Sequence, residues 1–286
     1  RKKSIYRNEI YKIFSFLMKV LSTLKKRIIP KLLIRNSEYG NHTRPVLLVT
    51  RNFKEVFEVG DPVSQAMIFE AQLADELFVL NIDSVPIAQD SHLLNVIERL
   101  ASETFMPLAV GGGVSNLDDF ALVLEKGADK VSINTAAIND PSLISRAADR
   151  FGSQCVVVSI DHRFDASQNR DMVFTRRASS NSNLGVVDWA KVAVDAGAGE
   201  ILLADADNDG SGKGLNVDLA RSVAEVVDVP VIISGGCGTA QHFVEGFDIG
   251  RAEGIAAGTF FYFRDQNPME TRAHVQNAGI PIRIET

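Results

Sequence analysis

The chain has few cysteines and lacks a net positive charge. Among 286 residues there are two cysteines, Cys155 and Cys237, too few for a disulfide framework, so we expect reduced thiols in a cytoplasmic protein. The formal net charge of −6 argues against the basic surface that nucleic acid binding needs. Linkers and low-complexity segments are also lacking, and 45% of the residues are hydrophobic, which favours one domain with a large core.

The N-terminal segment, residues 1–26, differs in composition from the rest. Nine of the first 27 residues are Lys or Arg, and Glu9 is the only acid among them. Apolar residues recur there at helical spacing, which is typical of a basic amphipathic helix at an anionic membrane surface. We favour an artefactual upstream extension with Met18 as the true start, because such spacing is common by chance. We expect no membrane contact and assign the domain to residues 27–286.

From residue 27 onward, apolar runs of strand length alternate with helix-length amphipathic stretches. The predicted strands are Arg27–Ile34, Glu76–Ile82, Pro107–Val110, Lys130–Asn134, Gln154–Asp161, Glu200–Asp205, Pro230–Ser234 and Gly254–Ala257. The predicted helices lie near residues 62–74, 91–104, 116–126, 141–151, 186–197, 217–227, 239–249 and 266–277. Uniformly apolar strands are buried on both faces, as in a parallel sheet covered by helices. Eight such units in a row predict a single (β/α)8 TIM barrel.

A glycine-rich unit occurs once in each half of the chain. Val110–Gly113 and Ser234–Gly238 each follow an apolar strand and open a helix, which leads to another strand. Glycine lets backbone N–H groups approach an anion, and a helix N-terminus adds partial positive charge. The two units predict a small-molecule ligand with a phosphate at each end. The residues of the turns and of the strand ends behind them are Gly112, Gly113, Asn134, Thr135, Gly235, Gly236, Ala257, Gly258 and Thr259.

The two halves differ at the end of their first strands. Overlaying Ile28–Leu33 on Val156–Asp161 places Asp161 at the C-terminal mouth, where barrel enzymes keep their active sites, and aligns it with Leu33. Two carboxylates there would supply a general acid and a general base. This chain has one, so Asp161 is the predicted catalytic residue. The long loops 35–61 and 162–185, which follow these two strands and contain β-like runs, also fit two similar half-barrels.

Four charged residues mark the starts of predicted strands. Alternation along each strand places them near the N-terminal opening of the barrel. They are Arg27, Glu76, Lys130 and Glu200. They form either a salt-bridged plug or a gate for a small neutral molecule. Buried charges are costly unless paired, and packing alone gives little reason to retain four of them.

The loop after the sixth predicted strand is acidic, with Asp205, Asp207 and Asp209 spaced by two. It lacks the glycine-centred pattern of a calcium-binding loop. Loop capping and contact with ligand hydroxyls explain it better, and we predict neither a metal nor a cofactor. In the second glycine turn, Cys237 either has its pKa lowered by a helix N-terminus or fills a small space.

An ordered set of segments runs along residues 25–286. They are Gly60-Asp61-Pro62, Gly111–Gly113, Gly127–Ala137, Phe151–Gln154, Gly197–Leu203 and Ser234–Gly236. Together they resemble the cyclase subunit of imidazole glycerol phosphate synthase, the barrel half of a glutamine amidotransferase in histidine biosynthesis. This resemblance implies a heterodimer in which a glutaminase subunit sends ammonia through the barrel. At the mouth, ammonia meets a ligand with two phosphates, and two aspartates drive ring closure and cleavage.

The resemblance also implies roles for individual residues. Gly113, Asn134 and Thr135 would bind one phosphate, while Gly236, Ala257 and Thr259 would bind the other. The segment Asp209-Gly210 would assist at the second phosphate and the ribose. The four charged strand starts match the family's ammonia gate, and Asp129 matches an acid that contacts the partner subunit. For this reason we favour the gate over the salt-bridged plug.

Three positions depart from the family pattern. Leu33 stands where the family has its first catalytic aspartate, Asn81 replaces a common acid, and a mobile-loop lysine aligns near Val49. Arg51 or Lys54 would be substitutes for that lysine. The entrance thus matches the family, whereas the mouth matches it only in part.

Three functions fit these features. The first is a working cyclase of histidine biosynthesis. The second is a paralogue that takes ammonia from a glutaminase and supplies it to a third, synthetase-type protein for the amidination of surface-polysaccharide sugars. The third is a non-catalytic phosphate-sensing scaffold that activates the glutaminase. Losing a proton-transfer group typically costs about two to four orders of magnitude in rate, so we favour ammonia supply.

Overall fold

The computed structural model of the chain describes residues 25–83, 85–263 and 265–282. The extension predicted for residues 1–26 lies outside the described residues except for its last two. Of these, Lys26 forms a parallel bridge with Ile282 and donates from Nζ to the carbonyl of Ala252 at 2.6 Å. In the part of the chain that the structure describes, no helix is long and apolar enough to cross a membrane.

Eight parallel strands close into a barrel. The strands of the described residues are, in chain order, β1 (Arg27–Tyr39), β2 (His42–Arg51), β3 (Glu55–Gly60), β4 (Leu77–Asn81), β5 (Leu108–Gly111), β6 (Lys130–Ile133), β7 (Val156–Asp165), β8 (Arg170–Thr175), β9 (Ser180–Gly185), β10 (Glu200–Asp205), β11 (Val231–Ser234) and β12 (Gly254–Ala257). The barrel runs β1-β4-β5-β6-β7-β10-β11-β12, and β12 pairs again with β1. The predicted (β/α)8 barrel is confirmed.

Helices separate the barrel strands and cover their outer faces. Among the described residues they are α1 (Pro62–Ala71), α2 (Ser91–Glu103), α3 (Leu117–Glu125), α4 (Thr135–Asn139), α5 (Ser142–Phe151), α6 (Val186–Asp195), α7 (Val217–Ala224), α8 (Ala240–Asp248), α9 (Thr259–Phe263) and α10 (Pro268–Asn277). Side-chain caps set several starts: Asp90 accepts from the N–H of Leu93 in α2. Helix α1 ends before the predicted residue 74, because Leu73 has a left-handed φ of 60°.

Two strands extend beyond their predicted ends, and both do so into hairpins at the mouth. Strand β1 continues past Ile34 and pairs with β2, which pairs with β3. Strand β7 continues past Asp161 and pairs with β8, which pairs with β9. The added length arises because antiparallel partners satisfy backbone groups that a barrel strand alone would leave unpaired. The matching hairpins support the two-half-barrel arrangement.

Side chains along the barrel strands alternate between the lumen and the outer core. On β1, Ile28 and Leu32 belong to the large outer core under the helices. Ile29 belongs instead to a small cluster inside the barrel, and Leu33 to another at the mouth. This alternation places successive layers along the lumen, from a charged floor to the mouth.

Candidate functional site

The floor of the barrel is a closed ring of ion pairs. Arg27 Nη1 lies 2.5 Å from Glu76 Oε2, and Arg27 Nη2 donates a hydrogen bond to Glu200 Oε1. Lys130 Nζ lies 2.8 Å from Glu76 and 3.0 Å from Glu200. Burial opposes the charge of Arg27, but the two carboxylates outweigh it and raise the pKa of the guanidinium. The structure therefore brings all four predicted gate residues together, with exposed Asp129 beside Lys130.

An apolar layer lies directly above this ring. Its members come from seven barrel strands and are at most 1% exposed. They are Ile29, Phe78, Ala109, Val157, Leu202, Ile232 and Ala256. A lumen of this composition strongly disfavours ions and tolerates a small neutral molecule, because an ion there would lose its hydration without gaining a partner.

A polar layer lies between the apolar layer and the mouth. Lys31, two residues beyond Ile29 on β1, is 5% exposed, and its Nζ lies 3.0 Å from Ser234 Oγ. Buried Ser132 and Ser159 occupy the equivalent lumen-facing positions on β6 and β7. The sequence analysis did not identify Lys31. The available signal was a single cation within the apolar run Ile28–Ile34, in register with Arg27.

Asp161 lies at the mouth on β7, as predicted. It keeps some contact with solvent through the mouth and is otherwise surrounded by protein. Burial raises its pKa to about 6, while the charge of Lys31 and a hydrogen bond from Asn134 act in the opposite direction. Such a carboxyl can accept or release a proton near neutral pH, which suits a general acid or base.

Leu33, which aligns with Asp161 in the half-barrel comparison, is 7% exposed and lies in an apolar cluster. The cluster contains Val46 and Leu48 from the adjacent hairpin, with Leu80 packed against it. At the position of Leu33, this side of the mouth therefore has an apolar side chain among other apolar side chains in place of a carboxylate. Asn81, the other replaced acid, accepts from the N–H of Asp83 at 2.8 Å through its side chain.

The second glycine turn borders a pocket at the mouth. The pocket lining includes Lys31, Leu33, Asp209 and Gly210 together with Ser234, Gly235, Gly236, Cys237, Ala257, Gly258 and Thr259. All the residues predicted for the second phosphate thus come together. Gly235 and Gly236 have φ of 100° and 97°, and a Cβ on Gly236 would meet the carbonyl of Gly214 at 2.0 Å. Glycine is therefore required here by both conformation and space.

The first glycine turn has the same backbone construction. Gly112 and Gly113 have φ of 88° and 82°, and a Cβ on Gly112 would meet the carbonyl of Asn81 at 2.0 Å. The hydroxyl of Thr135 accepts from the N–H of Arg176, at the tip of the β8–β9 hairpin, at 3.1 Å. Buried Asn134 Oδ1 has no hydrogen-bond partner among the described residues. The lining of the second-turn pocket includes none of Gly112, Gly113, Asn134 and Thr135.

The acidic loop after β10 is held by its own hydrogen bonds. Asp205 Oδ1 accepts from the N–H groups of Asp207 and Asn208 at 2.9 and 3.0 Å. Asp209 Oδ2 accepts from Thr50 Oγ1 at 2.6 Å, which ties this loop to the β2–β3 hairpin. These contacts agree with the loop-capping interpretation.

The two cations suggested as substitutes lie away from the pocket, and the Cys237 thiol agrees with one of its two interpretations. Arg51 and Lys54, suggested replacements for the loop lysine, are exposed and do not line the pocket, whereas Val49 and Lys31 do. Burial raises the pKa of the Cys237 thiol, which argues against activation by a helix N-terminus and favours the space-filling interpretation. It fills space in the pocket wall.

A charged floor, an apolar lumen and a mouth with an acid beside a glycine-lined pocket define a barrel enzyme of the (β/α)8 class. The family described as histidine biosynthesis protein matches residues 27–267. The chain belongs to this family.

Its relatives include imidazole glycerol phosphate synthase subunits. A Prochlorococcus marinus (strain MIT 9313) protein that carries the provisional name imidazole glycerol phosphate synthase subunit hisF2 is 47% identical over 266 residues, covering 92% of this chain and 99% of that protein. The proteins named imidazole glycerol phosphate synthase subunit HisF from Bacillus licheniformis and Geobacillus thermodenitrificans are each 40% identical over 260 residues. Each alignment covers 91% of this chain and all of the relative.

Proposed function

We propose that this chain is a cyclase-type subunit of a glutamine amidotransferase that receives ammonia through its barrel and has weak or no cyclisation activity of its own. The observation that carries the proposal is the contrast along β1. Arg27 takes part in a complete ring of ion pairs at the floor, whereas Leu33 at the mouth lies among apolar side chains.

Ammonia passage is supported by the sequence of layers in the lumen. A neutral molecule entering at the floor must separate one ion pair of the ring, and Arg27 and Lys130, with side chains 20% exposed, are its more solvent-exposed members. Beyond the ring it meets the apolar layer, which favours ammonia over ammonium. A glutaminase subunit bound at the floor is the source that fits this direction of entry, and exposed Asp129 is a candidate contact for it.

Weak cyclisation is supported by the single acid at the mouth. If ring closure and cleavage need two proton-transfer groups, the chain supplies Asp161 but lacks the second. The loss of such a group costs about two to four orders of magnitude in rate. The ammonia would then serve a third, synthetase-type protein, and the amidination of a surface-polysaccharide sugar is the use we favour.

A working cyclase is the second candidate, and one observation favours it. The pKa of Asp161, raised by burial to about 6, lets this one carboxyl act as acid and base at neutral pH.

Turnover with ammonium salt distinguishes the two candidates. The purified chain and the Bacillus licheniformis relative are given the family's bisphosphate ribotide and ammonium chloride, and the imidazole product is quantified by mass spectrometry. We expect the chain to be at least about a hundredfold slower than the relative. Equal turnover would overturn the proposal in favour of the cyclase.

A further inference from the structure

The second-turn pocket contains a cation that the half-barrel comparison singles out. Lys31 on β1 aligns with Ser159 on β7 when the two halves are overlaid, so the positive charge is present in one half only. The Lys31 side chain passes close to the end of β12, which borders the second-turn pocket. A Cβ built on Gly258 would lie 3.8 Å from Lys31 Cε. Its ammonium group lies at the wall of that pocket.

The ammonium group of Lys31 is incompletely neutralised. Its Nζ donates to Ser234 Oγ at 3.0 Å, and among the described residues this is its one hydrogen bond to a side chain, out of three possible donors. Among the described residues, the one ion pair of Lys31 is with Asp209 Oδ1 at 4.0 Å, the outer limit of an ion pair, and the charge of Lys31 also acts on Asp161. The other oxygen of Asp209 is held by Thr50 at 2.6 Å. A buried cation with this partial pairing gains from an anion that approaches more closely.

We propose that Lys31 is the charged binding group for the phosphate end of the ligand predicted at the second glycine turn. The phosphate replaces Asp209 as the nearest counterion of Lys31, while backbone N–H groups of the turn bind its outer oxygens. The inference rests on the phosphate site that the sequence predicts at this turn. It adds the residue that selects a charged group there and makes the two ends of the ligand site chemically different.

Binding of inorganic phosphate, measured by isothermal titration calorimetry on the full chain, tests this assignment. Lys31→Met keeps the side-chain length and removes the charge, and we expect binding to weaken about 10- to 100-fold, the effect of losing a charge-assisted hydrogen bond. Lys191→Met, on the exposed surface of α6, is the matched control and should bind as the wild type does. Melting temperatures of both variants verify that they fold.

Asp209→Asn gives an independent result of opposite sign. It preserves an oxygen for Thr50 but removes the charge that competes with phosphate for Lys31. The ribose contact that the resemblance implies for Asp209 plays no part with inorganic phosphate, so phosphate binding should strengthen several-fold. Weaker binding by this variant would overturn the proposal even if Lys31→Met did not fold.

The remaining outcomes distinguish the role of Lys31 from the phosphate site on which this role depends. If the wild type binds phosphate and Lys31→Met binds it equally well, the role of Lys31 is wrong while the phosphate site stands. If the wild type binds no phosphate at millimolar concentration, the phosphate site itself fails, and the role of Lys31 fails with it.

Discussion

The floor and the mouth of this barrel both hold charged side chains, but these are paired to different degrees. At the floor, Arg27 and Lys130 each contact both Glu76 and Glu200, so every charge is paired twice. At the mouth, the one ion pair of Lys31 within the part of the chain that the structure describes is with Asp209, at 4.0 Å. The floor is complete without a ligand, whereas the mouth leaves a charge that a ligand can pair. This difference separates a structure that admits a molecule from one that binds it.

The largest expected effect comes from breaking the floor ring. Glu76→Ala leaves two half-buried cations to share the buried carboxylate of Glu200, and losing one partner of a largely buried ion pair costs roughly 3 kcal/mol or more. Chemical denaturation should therefore show a fall of about 3 kcal/mol in the free energy of unfolding.

The matched control for that variant is an exposed ion pair on the outside of the barrel. Glu98 lies 2.9 Å from Lys126, and its side chain is 61% exposed. Glu98→Ala should cost less than about 1 kcal/mol, because solvent screens an exposed pair. A loss as large as that of Glu76→Ala would mean that burial does not distinguish the floor.

Restoring a carboxylate at the mouth should reduce the contrast with the floor. Leu33→Asp places an acid at the position that the half-barrel overlay matches with Asp161, and we expect cyclisation with ammonium salt to rise about tenfold or more. Leu33→Asn, of the same shape without an ionisable group, should give no rise. Equal rates for the two variants would contradict the role assigned to a second carboxylate.

The smallest effect concerns the pH dependence of stability. The folded-state pKa of Asp161 is about 6, above the ordinary 3.8, so the folded chain binds this proton more tightly than the unfolded chain. Stability from this group therefore falls as pH rises through that window, and the penalty is fully present above about pH 6.

Asp161→Asn removes this penalty. Its unfolding free energy should exceed that of the wild type by about 1 to 3 kcal/mol at about pH 8, with a smaller difference at about pH 4. Asp149→Asn, on the exposed face of α5, serves as the control. A difference that does not change with pH would contradict the raised pKa.

The barrel could be predicted because its strands are buried on both faces, and uniform apolar runs such as Leu77–Leu80 are therefore visible in the sequence. The floor followed from strand periodicity, since each charge begins a run. The mouth hairpins were only partly predictable: β3 and β9 are largely exposed and lack an apolar pattern. Lys31 was missed because a single lysine in an apolar run gains meaning only when closure of the sheet brings it to Ser234 and Asp209.

The most direct test of the contrast between floor and mouth is the molar ratio of imidazole product to glutamate. It is measured with the chain, a glutaminase from the same organism, glutamine and the family's bisphosphate ribotide. The account predicts that the chain stimulates glutamate formation while the ratio stays near zero, because ammonia enters the barrel and is not used in ring closure. A ratio near one would contradict it.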